Sequence, residues 1–285
     1  MKEKTKAYMG GFIDGEGALS IARSTSKTTG YVSYRSVVGF SNTNPNACKW
    51  AVKHFGGVFR KRERPEYSDS ACFEWYLTGN RAQKSFLETV RPYVRFKAEQ
   101  IDILLEYLGL FKQLVPKKRD ALYNRMAEVH HNFSVETDTL DPLGKTGRSY
   151  YAALLDGEGT ITISEDRFGY YRPAVRVYNS NLALLTPLKS SWGGSIHEAE
   201  PGFYQWHINK KTVIEKFLLY STPYLLIKRS QAKTMLEYVR LSRKWNRPER
   251  KRLYESLSYL NNLKVKIQSE LAGDRESELA GTPIS

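Results

Sequence analysis

The sequence predicts an α+β fold in which one domain occurs twice in tandem, and three observations carry that prediction. The tetrapeptide Asp-Gly-Glu-Gly stands at 14–17 and again at 156–159, each time after an apolar stretch and before an apolar/polar alternation of period two. Four further matches follow in the same order: Phe40-Ser-Asn-Thr-Asn44 with Val177-Tyr-Asn-Ser-Asn181, Phe55-Gly-Gly57 with Trp192-Gly-Gly194, Phe73-Glu-Trp75 with Tyr204-Gln-Trp206, and the six residues from Pro92 to Lys97 with those from Pro223 to Lys228. Finally, 285 residues suit two domains of roughly 150.

Each copy is expected to run helix, two strands, helix, two strands, helix, helix. In the first, helix 5–14 precedes strands 17–24 and 32–42, because Leu19 and Ile21 alternate with Ser20 and Ala22. Pro45 opens a helix over 45–55, since proline fits a first helical turn. Strands 57–63 and 71–78 follow, then helices 81–90 and 98–111 and an amphipathic, basic helix 118–131. The Asp-, Thr-, Gly- and Pro-rich stretch 133–147 reads as a linker. The domains are thus 1–132 and 148–272, the second with extra C-terminal helices at 229–245 and 248–271, and 273–285 is a polar tail.

Composition narrows the function. Lys and Arg number 44 against 30 Asp and Glu, giving a formal charge of +14 and a pI near 9.6. Such a field favours a polyanion, most commonly nucleic acid, without deciding between DNA and RNA or between binding and chemistry. No apolar run of about 18 residues exists, which excludes a helical membrane span. The start, MKEKTKAYMGGF, has no signal-peptide apolar stretch, so an intracellular protein is expected. Cys48 and Cys72 are too few for a disulfide framework or a cysteine zinc site.

The repeated motif points to chemistry. Gly10-Gly11 and Ala152-Ala153 are small, as residues are where two helices cross closely, so the two motif helices are expected to pack together on a pseudo-twofold axis. Gly15 and Gly157 end those helices and set Glu16 and Glu158 at two helix C-termini, where partial negative charge disfavours a carboxylate. Side by side at about 4–5 Å, the two charges would repel by roughly 3–4 kcal/mol at an effective dielectric of 20. Bound cations relieve that repulsion, and hard oxygen ligands suit Mg²⁺. Two glutamates beside divalent ions are a layout for in-line attack on a phosphodiester. Asp14 and Asp156 are read as structural.

The strands add a polar surface. One face carries Ser20, Ser24, Ser26, Arg35, Ser41, Lys61, Glu74 and Tyr76 in the first copy. The second offers Thr160, Thr162, Ser164, Arg172, Arg176, Tyr178, Gln205 and His207. Strands with such side chains can enter a major groove and read base edges. Trp75 and Trp206 are expected in the cores. Gly144-Lys145-Thr146 lacks the first glycine of a phosphate loop, since Thr139 stands there. His130-His131 has no metal-ligand company, and the run Arg247–Arg252 reads equally as a phosphate contact or a solvated helix start.

These residues resemble the LAGLIDADG homing endonucleases in their single-chain, two-repeat form, with Met9–Gly17 and Tyr151–Gly159 on the nine-residue motif. The resemblance spans about residues 5–240 and implies repeats of order α-β-β-α-β-β-α. It also implies two antiparallel four-stranded sheets forming a saddle over DNA, with the motif helices at the repeat interface. It implies metal binding and catalysis by Glu16 and Glu158, with carbonyls of Gly15 and Gly157 as further metal ligands. Lys97 and Lys228 would polarise the cleavage site, and Asn44 and Asn181 would position water, with Asn42 and Asn179 as neighbouring candidates. Cys48 and Leu185 stand where the family sometimes has a basic residue. The implied activity is Mg²⁺-dependent cleavage of both strands of a long, asymmetric double-stranded DNA target, leaving 3′ overhangs. Two or three ions are implied, with Mn²⁺ as a substitute and Ca²⁺ supporting binding without cleavage. The implied protein is an intron-encoded or free-standing monomer. Two rivals stand beside this: an RNA maturase acting on its own intron RNA, and a DNA-binding regulator without catalysis.

Overall fold

The structure is a computed structural model and describes residues 1–62, 72–110, 115–131, 144–241 and 247–262. The first half runs α1 (Glu3–Glu16), β1 (Gly17–Thr25), β2 (Val32–Asn42), α2 (Pro45–Phe55), β3 (Val58–Arg62), β4 (Cys72–Tyr76), α3 (Asn80–Val90), a 3-10 turn (Arg91–Tyr93), α4 (Ala98–Gly109) and α5 (Pro116–His131). The second runs α6 (Lys145–Glu158), β5 (Gly159–Glu165), β6 (Tyr171–Asn179), α7 (Leu182–Trp192), β7 (Ser195–Glu200), β8 (Phe203–Ile208), α8 (Lys211–Ser221), α9 (Arg229–Arg240) and α10 (247–262). Helix α6 begins at Lys145, three residues ahead of the expected start of the second repeat. The rest of the expected linker, apart from Gly144, and the tail 273–285 lie outside the described residues. No described helix is long and apolar enough to cross a membrane.

Each half holds one antiparallel four-stranded sheet, in the orders β1-β2-β4-β3 and β5-β6-β8-β7. One face of each sheet is apolar and lies under helices. Leu19, Ile21, Val38, Phe40, Phe73 and Trp75 fill the first core, and Ile161, Ile163, Val175, Val177 and Trp206 the second. The matched aromatic-Gly-Gly sequences have a shared physical reason. Asn44 and Asn181 cap α2 and α7 by accepting from Asn46 N and Ala183 N. At the other ends, Gly56-Gly57 and Gly193-Gly194 all have positive φ, between 70° and 91°. The carbonyls of Gly56 and Gly193 then accept the indole N–H of Trp75 (2.7 Å) and Trp206 (2.9 Å), tying each turn to its fully buried tryptophan.

The duplication reaches further than the sequence suggested. Tyr107 and Tyr238, Leu122 and Leu253, and Tyr123 and Tyr254 are each 131 residues apart, the spacing of Trp75 and Trp206. Tyr107 Oη donates to Tyr34 O (2.9 Å), and Tyr238 Oη donates to Tyr171 O (2.7 Å). The rings of Tyr123 and Tyr254 meet those same residues, Tyr34 and Tyr171. Helices α9 and α10 are therefore the counterparts of α4 and α5, not additions to the second repeat.

Candidate active site and nucleic-acid interface

Helices α1 and α6 pack side by side and form the joint between the halves. Their closeness depends on small residues. A Cβ added to Gly11 would sit 2.3 Å from the Tyr150 carbonyl oxygen. Gly10 was expected at this crossing but meets Tyr93 instead, 2.7 Å from its Cβ. Ala152 and Ala153 are fully buried, and Ala153 belongs to the first repeat's core.

The crossing brings Glu16 and Glu158 together. A Cβ built on Gly157 would stand 3.0 Å from Glu16 Cγ, and one on Gly15 would stand 3.2 Å from Glu158 Cγ. Each motif glycine thus leaves room for the other helix's glutamate. Burial, then the Glu16 charge, pushes the Glu158 carboxyl up from 4.5 to about 7, against the positive charges of Lys97 and Lys228. Asn42 Nδ2 donates to Glu16 Oε1 at 3.0 Å. Asn42 Oδ1 accepts from Asn44 N, and Asn179 Oδ1 repeats this with Asn181 N, both at 2.8 Å. The two expected water-positioning residues, Asn44 and Asn181, have their Oδ1 atoms engaged as helix caps. Asn42, the neighbouring candidate, touches the glutamate. Cys48 is buried in the core, with its thiol pushed up to about 12 by burial and then the nearby Cys72, Glu16 and Glu74, and Leu185 is buried in the other core.

The two lysines sit at matched positions. Lys97 Nζ donates to Gly17 O at 2.6 Å, and Lys228 Nζ donates to Asp156 O. Burial holds the Lys97 ammonium below its ordinary range, against the charges of Asp14, Glu158 and Glu16. Asp14 and Asp156 are buried under the chain that carries these lysines. Asp14 accepts from the backbone N–H groups of Arg95 (2.7 Å), Phe96 (3.0 Å) and Lys97 (3.0 Å). Asp156 accepts from Leu226 N (2.6 Å) and Lys228 N (2.7 Å). A phenol from the opposite motif helix completes each set: Tyr150 Oη to Asp14 at 2.6 Å and Tyr8 Oη to Asp156 at 2.7 Å. Sequence reasoning missed both tyrosines, because a Tyr in an apolar helical stripe looks like core.

Whether these residues fit a divalent ion can be judged from the donors. Among the described residues no group of three or more His, Cys, Asp and Glu gathers in one place. The pair Glu16 and Glu158 offers two hard carboxylates, with Glu158 pushed up by burial and then by the Glu16 charge, beside helix-end carbonyls. That set suits Mg²⁺, which keeps several waters and binds through one or two carboxylates plus substrate phosphate.

The polar faces of the sheets follow from strand register. Ser20, Ala22 and Ser24 pair with Val37, Arg35 and Ser33, and Ser41 pairs with Glu74 and Gly39 with Tyr76. Ser26 lies past β1 in the hairpin turn, accepting from Thr29 N. Lys61 departs from expectation. It pairs with Phe73 and shares the helix-covered face with Phe59, whereas Arg60 and Arg62 share the polar face with Glu74. Arg60 Nε and Arg62 Nη1 donate to the Glu74 carboxylate at 2.8 and 2.7 Å. Burial alone would raise the Glu74 carboxyl, but these two arginines outweigh it and hold it below its ordinary range. In the second sheet Thr160 pairs with Arg176, Ser164 with Arg172, Tyr178 with Gln205, and Arg176 with His207, so they share one face with Thr162. Arg176 donates to Thr162 Oγ1 (2.9 Å), and Arg172 pairs with Asp166 (2.8 Å). His197, opposite Gln205 and 3.0 Å from its Nε2, joins this face and was missed.

No family model and no curated protein matches the chain. Solved structures do. The LAGLIDADG homing endonuclease I-GzeII in complex with its DNA target aligns over 93% of this chain and 96% of that one, with 12% identity and a TM-score of 0.66. The I-LtrWI LAGLIDADG homing endonuclease bound to target DNA aligns over 91% and 97%, with 12% identity and a TM-score of 0.69. I-SmaMI bound to uncleaved DNA target in the presence of calcium ions aligns over 94% and 97%, with 12% identity and a TM-score of 0.65. At such identities the likeness establishes the fold: the chain has the two-repeat fold of the LAGLIDADG homing endonucleases.

Proposed function

We propose that this chain is a site-specific DNA endonuclease that hydrolyses one phosphodiester in each strand of an asymmetric duplex and leaves 3′ overhangs. The observation that carries this is the pairing of Glu16 and Glu158 at two adjoining helix ends, with Glu158 pushed up to about 7 by burial and by its neighbour. A fold gains nothing from that crowding unless cations are held there. Glu16, Glu158 and the carbonyls of Gly15 and Gly157 would hold Mg²⁺, which would supply Lewis acidity and activate water for hydrolysis. The chain's own residues set the rest. Lys97 and Lys228 hold positive charge beside the pair, where charge develops on a scissile phosphate. Asn42 fixes the Glu16 carboxylate through Oε1. The two polar faces, with Arg35, Arg60, Arg62, Arg172 and Arg176, neutralise duplex phosphates and read base edges. Because the two faces differ in sequence, the two half-sites differ too.

Cleavage selection from a randomised duplex library in Mg²⁺ tests this. Glu16→Gln and Glu158→Gln are each expected to abolish double-strand cleavage, by a factor of at least about 10³, and to bind selected DNA in Ca²⁺ like the parent. Calcium is chosen because the similar I-SmaMI was solved with it on an uncleaved target. Cleavage by both variants would defeat the site assignment. A wild type that cuts no library but binds its intron RNA tightly would replace this reading with a maturase.

A further inference from the structure

We infer that Tyr8 and Tyr150 are positioning residues that hold each repeat's lysine from the opposite repeat. This rests on the endonuclease reading for its catalytic consequence, though the wiring itself stands on geometry. Tyr8, on α1, donates to Asp156 Oδ2, and Asp156 in turn accepts the backbone N–H groups of Leu226 and Lys228 and, at its carbonyl, Lys228 Nζ. Tyr150, on α6, donates to Asp14 Oδ2, and Asp14 accepts the N–H groups of Arg95, Phe96 and Lys97. All four side chains are at most 4% exposed.

The crossing has a chemical meaning. A buried carboxylate with three or four donors fixes the chain that gives those donors, because any donor that leaves exposes an unsatisfied partner. In each repeat one of those donors belongs to the other repeat. The carboxylate that anchors each lysine-bearing segment therefore has its full set of donors only while α1 and α6 are docked. Docking and lysine placement become one event, and the same docking assembles Glu16 and Glu158. An endonuclease wired this way keeps its charge-stabilising lysines out of register unless both glutamates are in place.

The test uses the full chain with Tyr8→Phe, Tyr150→Phe and, as control, Tyr107→Phe, which removes a buried phenol hydrogen bond to Tyr34 O away from the joint. The first readout needs no activity: the rate at which acetic anhydride acylates Lys97 and Lys228 in the folded, metal-free protein, followed by mass spectrometry of peptides. Tyr8→Phe is expected to speed acylation of Lys228 about tenfold and leave Lys97 unchanged, Tyr150→Phe to do the reverse, and Tyr107→Phe to change neither. Equal effects on both lysines, an effect within the same repeat, or no effect would overturn the inference. The second readout is strand-resolved cleavage of the selected target. Each variant is expected to slow a different strand by about 10- to 100-fold at unchanged binding, so that nicked duplex accumulates. Both strands slowing together would also overturn it. A wild type that cuts nothing, with crossed acylation intact, would defeat the endonuclease reading and leave the crossed wiring standing.

Discussion

Glu158 ties the stability of the folded chain to pH. Its carboxyl sits at about 7 in the folded chain against an ordinary 4.5. Below pH 4.5 both folded and unfolded states hold the proton. Between 4.5 and 7 the unfolded chain releases it first, so the folded state binds more protons and stability falls as pH rises. Above 7 the full cost, about 3 kcal/mol, is in place. Glu158→Gln should therefore flatten this slope and raise stability at pH 8 by up to about that amount, measured by urea unfolding with EDTA present. Adding Mg²⁺ should restore the wild type at pH 8 and do little for the variant. Parallel pH curves for the two proteins would show that neither burial nor Glu16 raises the Glu158 carboxyl. The nearness of Glu16 to Glu158 was legible in the sequence because the motif repeats, whereas Lys97 and Lys228 were singled out through the family resemblance. The contact of Asn42 with Glu16 was less legible, since nothing local sets Asn42 apart from Asn44 except that Asn44 caps α2. The partnership of Tyr8 with Asp156 was not legible at all, because it spans 148 residues and no local pattern encodes it.

At the scale of the elements, strand register decides which charges share the polar face that the endonuclease reading sets against DNA. Leu19/Ile21 and Ile161/Ile163 alternate so plainly that the faces of β1 and β5 could be read directly. Strand β3 opens with two adjacent apolar residues, Val58 and Phe59, which mark opposite faces ahead of Arg60, Lys61 and Arg62, so its phase was read one residue out. Pairing with β4 settles it: Phe59 lies opposite Trp75, and Arg60 lies opposite Glu74. The consequence is measurable. Arg60→Ala should weaken DNA binding in Ca²⁺ and lower the slope of log affinity against log salt by about one. Lys61→Ala should leave the slope unchanged. Fluorescence anisotropy over a salt series would check both, and an equal loss for Lys61→Ala would mean that β3 meets DNA with its other face.

Across the whole molecule, the joint at α1 and α6 does two jobs, and they have one physical basis. Ala153, from the second repeat, lies in the first core, and Phe96, from the first repeat, lies in the second. Tyr8, Asp14, Tyr150 and Asp156 find their buried partners only across the joint or beside it, and Ser149 Oγ donates to Lys4 O at 2.6 Å. Pulling the halves apart would strand these polar groups and bare the small-residue faces that let the helices approach. Domains joined by modest polar interfaces usually unfold separately. Here each half is an unfinished domain whose last core wall is the other half. The chain should therefore unfold in one calorimetric transition, with the calorimetric and van't Hoff enthalpies equal, despite containing two repeats. Tyr8→Phe and Tyr150→Phe should lower the temperature of that single transition without splitting it. Two resolved transitions in the wild type would mean that the halves are thermodynamically independent and that the fold alone does not hold the glutamate pair together.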